Sequence, residues 1–326
     1  MNTYIIKKAI RKGLRPVVKI FTKNKTLKEE NEKLNYQLEY LKSHIDPQAI
    51  KPATGILRDY QLQEVQFLKE ILELLSKYDI KPFFDGGCLL GYCRHNGFVP
   101  WDDDIDINLM REDFNRLLEI MKKDWLFIEM DKLTDLNHPF SAFYDKVIKE
   151  HPGQIAVVHS STCIHIFRGS SLKDAVNVEI FPYDYVTESV TDEEFIEYKS
   201  VTSKKIKKLQ NYGLKKVFDF YNKELASEKI FSKTKTNRIT YGLGDFAFLN
   251  YRFRGFLQYD DIFPLQEVDF EGIKVYIPNK PQRALTCLYG DFMKLPKDIG
   301  ISQALEDTNS YLKSRHKDII DYKNIQ

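Results

Sequence analysis

Cysteine is scarce in this 326-residue chain: Cys88, Cys93, Cys163 and Cys287 are all there is, and no two form a CxxC pair. A chain of this size needs no disulfide framework, and the spacing suits a reducing cytoplasm. Long apolar runs are missing too. No stretch approaches the ~20 residues that a membrane-spanning helix requires. The N-terminus lacks the apolar h-region of a secretory signal, because Lys and Arg break its apolar residues every few positions. A charge of one sign is also lacking, since 49 basic residues face 47 acidic ones. No internal repeat is evident. What is present is core-forming material, 43% hydrophobic and 13% aromatic, which excludes wholesale disorder.

The charge is distributed unevenly. Residues 1–23 read as a basic amphipathic arm: the first 25 positions hold eight Lys or Arg and no acid. Ile6, Ile10, Leu14, Val17, Val18 and Phe21 recur at helical spacing, so such a helix can lie in a membrane interface among anionic headgroups. Residues 24–46 carry a heptad. Leu27, Leu34 and Leu41 alternate with Asn31, Leu38 and Ile45, a pattern that favours a parallel two-stranded coil and hence a homodimer. Pro47 and Pro52 end this helix. The globular part begins near Ile56, with a catalytic core over 56–190 and a largely helical C-terminal region over 191–326. Leu62, Val65, Leu68, Leu72 and Leu75 mark one helical face. Short strands are predicted at Phe83-Phe84 and Ile105–Leu109, with a short helix from Cys88 to His95. Further strands are predicted at 140–148, 155–158, 162–167 and 176–181, and a hairpin at 268–277 turning at Glu271-Gly272.

The chemistry concentrates between Phe83 and Leu109. Asp104 and Asp106 flank Ile105, so the period of a strand places both carboxylates on one face. Such a pair repels itself and is costly to bury without a cation. Mg²⁺, with Mn²⁺ as the alternative, is the natural partner, since it takes one or two carboxylates together with substrate phosphates. Glu179 is a third acid inside an apolar strand, Val-Asn-Val-Glu-Ile-Phe. Gly86-Gly87, between a strand and a helix, lets a phosphate approach the backbone near a helix N-terminus. Arg94 ends that helix and can fork onto phosphate.

A Gly-Gly turn, then two acids alternating with apolar residues, then a distant strand acid, resembles the signature of the polymerase β-like nucleotidyltransferases. Asp85-Gly86-Gly87, Leu90-Gly91, Arg94-His95 and Gly97-Phe98-Val99-Pro100-Trp101-Asp102-Asp103-Asp104-Ile105-Asp106 sharpen this into a resemblance to the LicD family, which includes phosphocholine transferases and is related to fukutin. Lys146-Val147 resembles its downstream basic strand, and Glu179-Ile180-Phe181-Pro182-Tyr183-Asp184 its acid-Ile-Phe-Pro block. Ile262-Phe263-Pro264, Phe270-Glu271-Gly272 and Tyr289–Pro296 follow, so the likeness spans roughly 58–300. Cys88 stands where the family often has Thr or Ser, and Ile148 replaces a frequently basic position.

The resemblance implies an α/β (α+β) fold with a mixed sheet. Asp104, Asp106 and Glu179 would hold the metal, and Gly86, Gly87, Arg94 and Lys146 the donor's phosphates. It implies transfer of phosphocholine or a relative from a CDP-linked donor to a cell-surface glycan, with CMP released. The expected setting is the cytoplasm, peripheral on the inner face of the plasma membrane. A DxD glycosyltransferase, a nucleotidyltransferase using nucleoside triphosphates and an inactive membrane scaffold are the rivals. Bland readings also hold ground. Asp102 and Asp103 can simply cap a turn, and Trp101 can pack. Cys88, Cys93, Cys163 and His165 match no closed zinc spacing and read as small buried residues. Residues 199–238, with twelve cations and three acids, read first as a solvated helical face. No groove-reading or base-stacking motif accompanies them, which argues against a nucleic-acid partner.

Overall fold

The computed structural model describes residues 26–129, 140–159, 163–171, 174–243 and 256–295; the arm at 1–23 lies outside them. Residues 26–44 form a helix, α1. Its heptad positions Leu27, Leu34, Leu38 and Leu41 are all exposed, and so is Ile45 beyond its end.

The body from Gln48 onward is built on a mixed sheet. Its elements run α2 (Gly55–Ser76), β1 (Phe83–Phe84), α3 (Gly86–His95), β2 (Asp106–Met110), α4 (Arg111–Asp124) and β3 (Leu126–Glu129). Then come α5 (Phe140–Glu150), β4 (Ala156–His159), β5 (Ile164–Arg168), β6 (Val176–Val186), α6 (Asp192–Gln210) and α7 (Leu214–Ser227). The described chain closes with β7 (Phe231–Ser232), β8 (Arg238–Tyr241), β9 (Leu257–Gln258), α8 (Tyr259–Ile262), β10 (Gln266–Phe270), β11 (Ile273–Ile277) and α9 (Pro281–Tyr289). The strand order is β10-β11-β1-β2-β6-β5-β4-β3, with β7 and β8 also on β6 and β9 on β8. Strands β2 and β6 run parallel, while β5 is antiparallel to β6.

Alternation sorts the central strands. Ile107 and Leu109 of β2, Val178 and Ile180 of β6 and Ile164 and Ile166 of β5 join one core with Val65, Leu68, Ile71 and Leu75 of α2 and Phe114 and Leu118 of α4. Burying each such side chain contributes about 1.5–3 kcal/mol. The intervening residues of β2, β6 and β5 occupy the opposite face, where the acids lie. A second core gathers Phe195, Ile206, Val217 and Phe220 of α6 and α7 with Val186 and Phe231. Helix α6 starts on a capping box between Thr191 and Glu194, worth about 1 kcal/mol.

Three expectations need correction. Residues 140–148 form helix, not strand, so Lys146-Val147 is not a basic strand. Val147 and Ile148, with Tyr144 one turn earlier, recur at helical spacing and pack on Ala156, Val158 and Phe167. The region after 191 is not largely helical: after α7 its strands β7 to β11 join the sheet alongside α8 and α9, β10 and β11 as the expected hairpin. On α2, Leu62 is exposed, whereas Gln61 and Glu64 are fully buried.

Candidate functional site: carboxylates across three strands

Register assembles the site. Asp106 of β2 lies directly opposite Glu179 of β6, and Glu179 lies directly opposite His165 of β5. Directly paired residues project to the same face, so His165, Glu179 and Asp106 form a row across three strands. The Glu179 N–H donates to the Ile105 carbonyl at 3.0 Å and locks the register just where β2 begins. Asp104 sits in the segment that enters β2, and its carboxyl shares a hydrogen bond with Asp102.

The electrostatics of the acids differ. Burial, then the charge of Asp104 and the hydrogen bond to it, raise the Asp102 carboxyl well above the usual range. Burial and the charge of Glu179 raise Asp104 as well, against the pull of its bond to Asp102. A nearby cation favours the charged form of such carboxyls and so opposes this rise. Glu179 moves the other way. Burial raises it, but the charge of His165 and a 2.9 Å bond to His165 Nδ1 outweigh this and lower it. Burial also works against charge on His165, yet Cys163, Tyr144 and Glu179 around the ring push it well above its ordinary value.

Gly86 and Gly87 open α3 after Asp85, and Gly86 has a φ of +54°. A Cβ on Gly87 would stand 2.6 Å from Asp102 Oδ2, and one on Gly86 4.0 Å from Asp106 Oδ2 and 3.9 Å from the Tyr289 hydroxyl. The Gly-Gly backbone therefore lies against Asp102 and Asp106. Asp85 is buried, accepts from the Tyr183 hydroxyl and is raised by burial. Cys88 is a neutral buried thiol: burial and then Asp106 and Asp104 raise it, and it accepts the Asp106 N–H at 3.4 Å.

Other sequence candidates fall elsewhere. Arg94 is buried, and its guanidinium donates to the Phe292 carbonyl at 3.0 Å and to His95 at 2.9 Å. That makes it a brace between α3 and the segment after α9. Lys146 is exposed on α5, 3.9 Å from Glu150. Trp101 packs, with His95 edge-on to it and Arg94 over its ring. Asp184 of the acid-Ile-Phe-Pro block is tied to Arg111 by two bonds of 2.7 and 2.8 Å. The lysines at 204, 205, 207 and 208 are exposed, as a solvated face would have them.

Several contributors escaped sequence reading. Glu64 is fully buried, and burial followed by the charges of Asp103 and Asp104 raises it well above the carboxylate range. Gln61 donates to the Asp102 carbonyl at 2.8 Å. Glu271 takes two bonds from Arg58, at 3.0 and 2.6 Å, and the Phe98 N–H at 3.2 Å, and so pins the loop that leads to the acids. His165 and Glu271 had legible signals: His165 alternates with core isoleucines in Cys-Ile-His-Ile, and Glu271 stands at the expected hairpin turn.

A mixed α/β sheet with acids on paired neighbouring strands and a Gly-Gly helix start against them is the architecture of a nucleotidyltransferase domain. Residues 79–217, somewhat less than half of the chain, match the LicD/FKTN/FKRP nucleotidyltransferase domain family. It is 26% identical over 262 residues to the lipopolysaccharide cholinephosphotransferase LicD of Haemophilus influenzae, covering 74% of this chain and 93% of that protein. An uncharacterised protein of Rickettsia prowazekii is 31% identical over 120 residues, 37% of this chain and 42% of its own length. One of Rickettsia typhi is 41% identical over 71 residues, 21% of this chain and 23% of its own.

Proposed function

We propose that this site transfers a phosphoryl-linked group, phosphocholine or a close relative, from a CDP-activated donor to a hydroxyl of a cell-surface glycan. The observation that carries the reading is the in-register pairing of Asp106 with Glu179 beside the Asp102–Asp104 pair and the Gly86-Gly87 backbone. The similarity to a lipopolysaccharide cholinephosphotransferase supports the transferred group and the glycan class.

Asp106 and Glu179 on directly paired strand positions, with Asp104 in the segment that enters β2, offer the oxygen donors that Mg²⁺ or Mn²⁺ takes, so the residues fit such a cation. Asp104, Asp106 and Glu179 are its proposed ligands, with Asp102 poised through Asp104. The cation supplies charge neutralisation at the transferring phosphorus and the departing phosphate. The chain's own groups do the rest. The Gly86-Gly87 backbone admits the diphosphate at the start of α3, where helix N–H groups favour anions. The acceptor oxygen forms its bond to the phosphorus that bears the passenger alcohol, while the bond from that phosphorus to CMP breaks. The hydroxyl proton passes to a carboxylate of the row, Glu179 or Asp106. His165 holds Glu179 in place for this.

The test is a screen of CDP-linked donors with purified full-length chain and Mg²⁺, with CMP measured. Release of CMP from CDP-choline or a related CDP-alcohol, dependent on Asp104, supports the proposal. Release of pyrophosphate from nucleoside triphosphates, or transfer of sugar from UDP-sugars, would assign one of the rival reactions instead.

A further inference from the structure

The acid row has a second neighbourhood on its β5 side. In Cys163-Ile164-His165-Ile166 the strand period sends both isoleucines into the main core and keeps Cys163 and His165 together on the other face. Register with β6 then brings in Glu179. Cys163 Sγ lies 3.0 Å from His165 Nε2 and 4.0 Å from Glu179 Oε2. One donor atom from each of the three residues falls within 4.8 Å of the other two. Cys163 is buried, His165 nearly so, and Tyr144 of α5 stands over this face with its ring 6.3 Å from that of His165.

We propose that Cys163, His165 and Glu179 form a binding site for a thiophilic divalent cation of the zinc class, adjoining the phosphate-transfer acids and sharing Glu179 with them. Thiolate, imidazole and carboxylate are the donor types that Zn²⁺ selects, whereas Mg²⁺ avoids the first two. Tetrahedral Zn²⁺, with bonds of about 2.3 Å to sulfur and about 2.1 Å to nitrogen or oxygen, sets its ligand atoms about 3.6 Å apart. The observed 3.0 Å (Sγ to Nε2) and 4.0 Å (Sγ to Oε2) separations straddle that value; Glu179 now bonds Nδ1 at 2.9 Å, so a cation on one ring nitrogen would draw in donor atoms that already lie within 4.8 Å of one another and replace one of these two imidazole contacts. The short contacts are those of protonated ligands bonded to one another. Binding the cation releases the thiol proton, along with any proton on the coordinating imidazole nitrogen, to solvent. Three protein ligands leave a fourth position for water or an oxygen of the bound phosphate. The spacing of cysteines along the chain concealed the site because its third donor arrives from another strand.

The site is tested on the full-length chain after chelation and dialysis, by titration with Co²⁺ without Mg²⁺ or nucleotide. Wild type should develop a sulfur-to-cobalt charge-transfer band that saturates at one equivalent and is displaced by equimolar Zn²⁺. Cys163→Ser should lose the band, His165→Gln should weaken Co²⁺ binding about tenfold or more, and Cys88→Ser should keep the band. A wild-type protein without a thiolate band, or a band that survives in Cys163→Ser, overturns the site. Should Cys163→Ser fail to fold, His165→Gln carries the same decision, because unchanged binding there is equally fatal. Asp104→Asn separates the two readings: it should stop CMP release while leaving the cobalt band intact.

Discussion

At the scale of single residues, the site gathers half-buried carboxylates on one face of the sheet. Asp104→Asn or Asp106→Asn should lower CMP release by at least about 100-fold with the fold retained, as judged by circular dichroism. Near-normal turnover in either variant would remove these acids from the proposed centre. Glu179→Gln keeps the shape, so donor binding should persist in part while turnover fails, which calorimetry and CMP assay separate. Glu64 offers a pH test. Its folded value is raised, chiefly by burial, so the folded chain holds a proton that the unfolded chain gives up. Its contribution to stability is therefore lost as pH climbs from the ordinary carboxyl range, about 4.3, through the folded value. In chelator-treated protein, Glu64→Gln should flatten the fall in melting temperature as pH rises above the ordinary carboxyl range. A slope identical to that of wild type would show that Glu64 does not titrate across folding. The strand alternation that exposes Asp106 and Glu179 was legible in sequence. The burial of Glu64 was not, because an acid on a helix normally faces solvent.

At the scale of elements, the acid-bearing loop is held from outside the signature. Arg58 of α2 and Glu271 at the β10–β11 turn clamp the Gly97-Phe98 backbone, and Gly97 is too close to Glu271 Oε1, 2.4 Å from an added Cβ, to carry a side chain. Glu271→Ala leaves the Phe98 N–H and Arg58 without this partner. We expect a loss of about 1–3 kcal/mol in denaturant unfolding, with a weaker metal response as the loop loosens. Unchanged stability would mean that the loop is set by Gln61 alone. The Arg111–Asp184 pair ties the start of α4 to β6, with Asp184 buried. Arg111→Ala should cost about 1–3 kcal/mol, because it leaves the buried Asp184 carboxylate only the Leu243 N–H among these partners. These tertiary braces join residues more than 70 positions apart, and no local pattern announces them. Helix α5 shows the converse failure: β-prone residues lost to a period of 3.6 once β4 and β5 offered an apolar surface.

At the scale of the whole molecule, the described residues include no helix long and apolar enough to cross a membrane. The heptad helix exposes its apolar positions, with Leu34 54% and Leu41 57% accessible. We propose that this seam pairs with a second copy and that the cationic arm before it rests on anionic lipid, each cation near the surface contributing about 1 kcal/mol. Leu34→Lys together with Leu41→Lys should make the chain monomeric in sedimentation and weaken its pelleting with phosphatidylserine vesicles, since paired arms reinforce each other. CMP release from a soluble donor should be unaffected. A variant that stays dimeric would place the interface in the catalytic body instead.

By itself the sequence determined the class of fold, the two acids around Ile105, the Gly-Gly opening of a helix and the third acid in a strand. Each of these is a local pattern, in which residue type and period act over a few positions. Only the tertiary structure decided that Asp106, Glu179 and His165 form one row, that Asp102 lies against Gly87, and that Arg94 serves as a brace. It also brought Cys163 within reach of Glu179. Those outcomes depend on strand order and register, which arise from the burial of isoleucines and valines on the far face of the sheet. The polar residues on the near face follow wherever that packing places them.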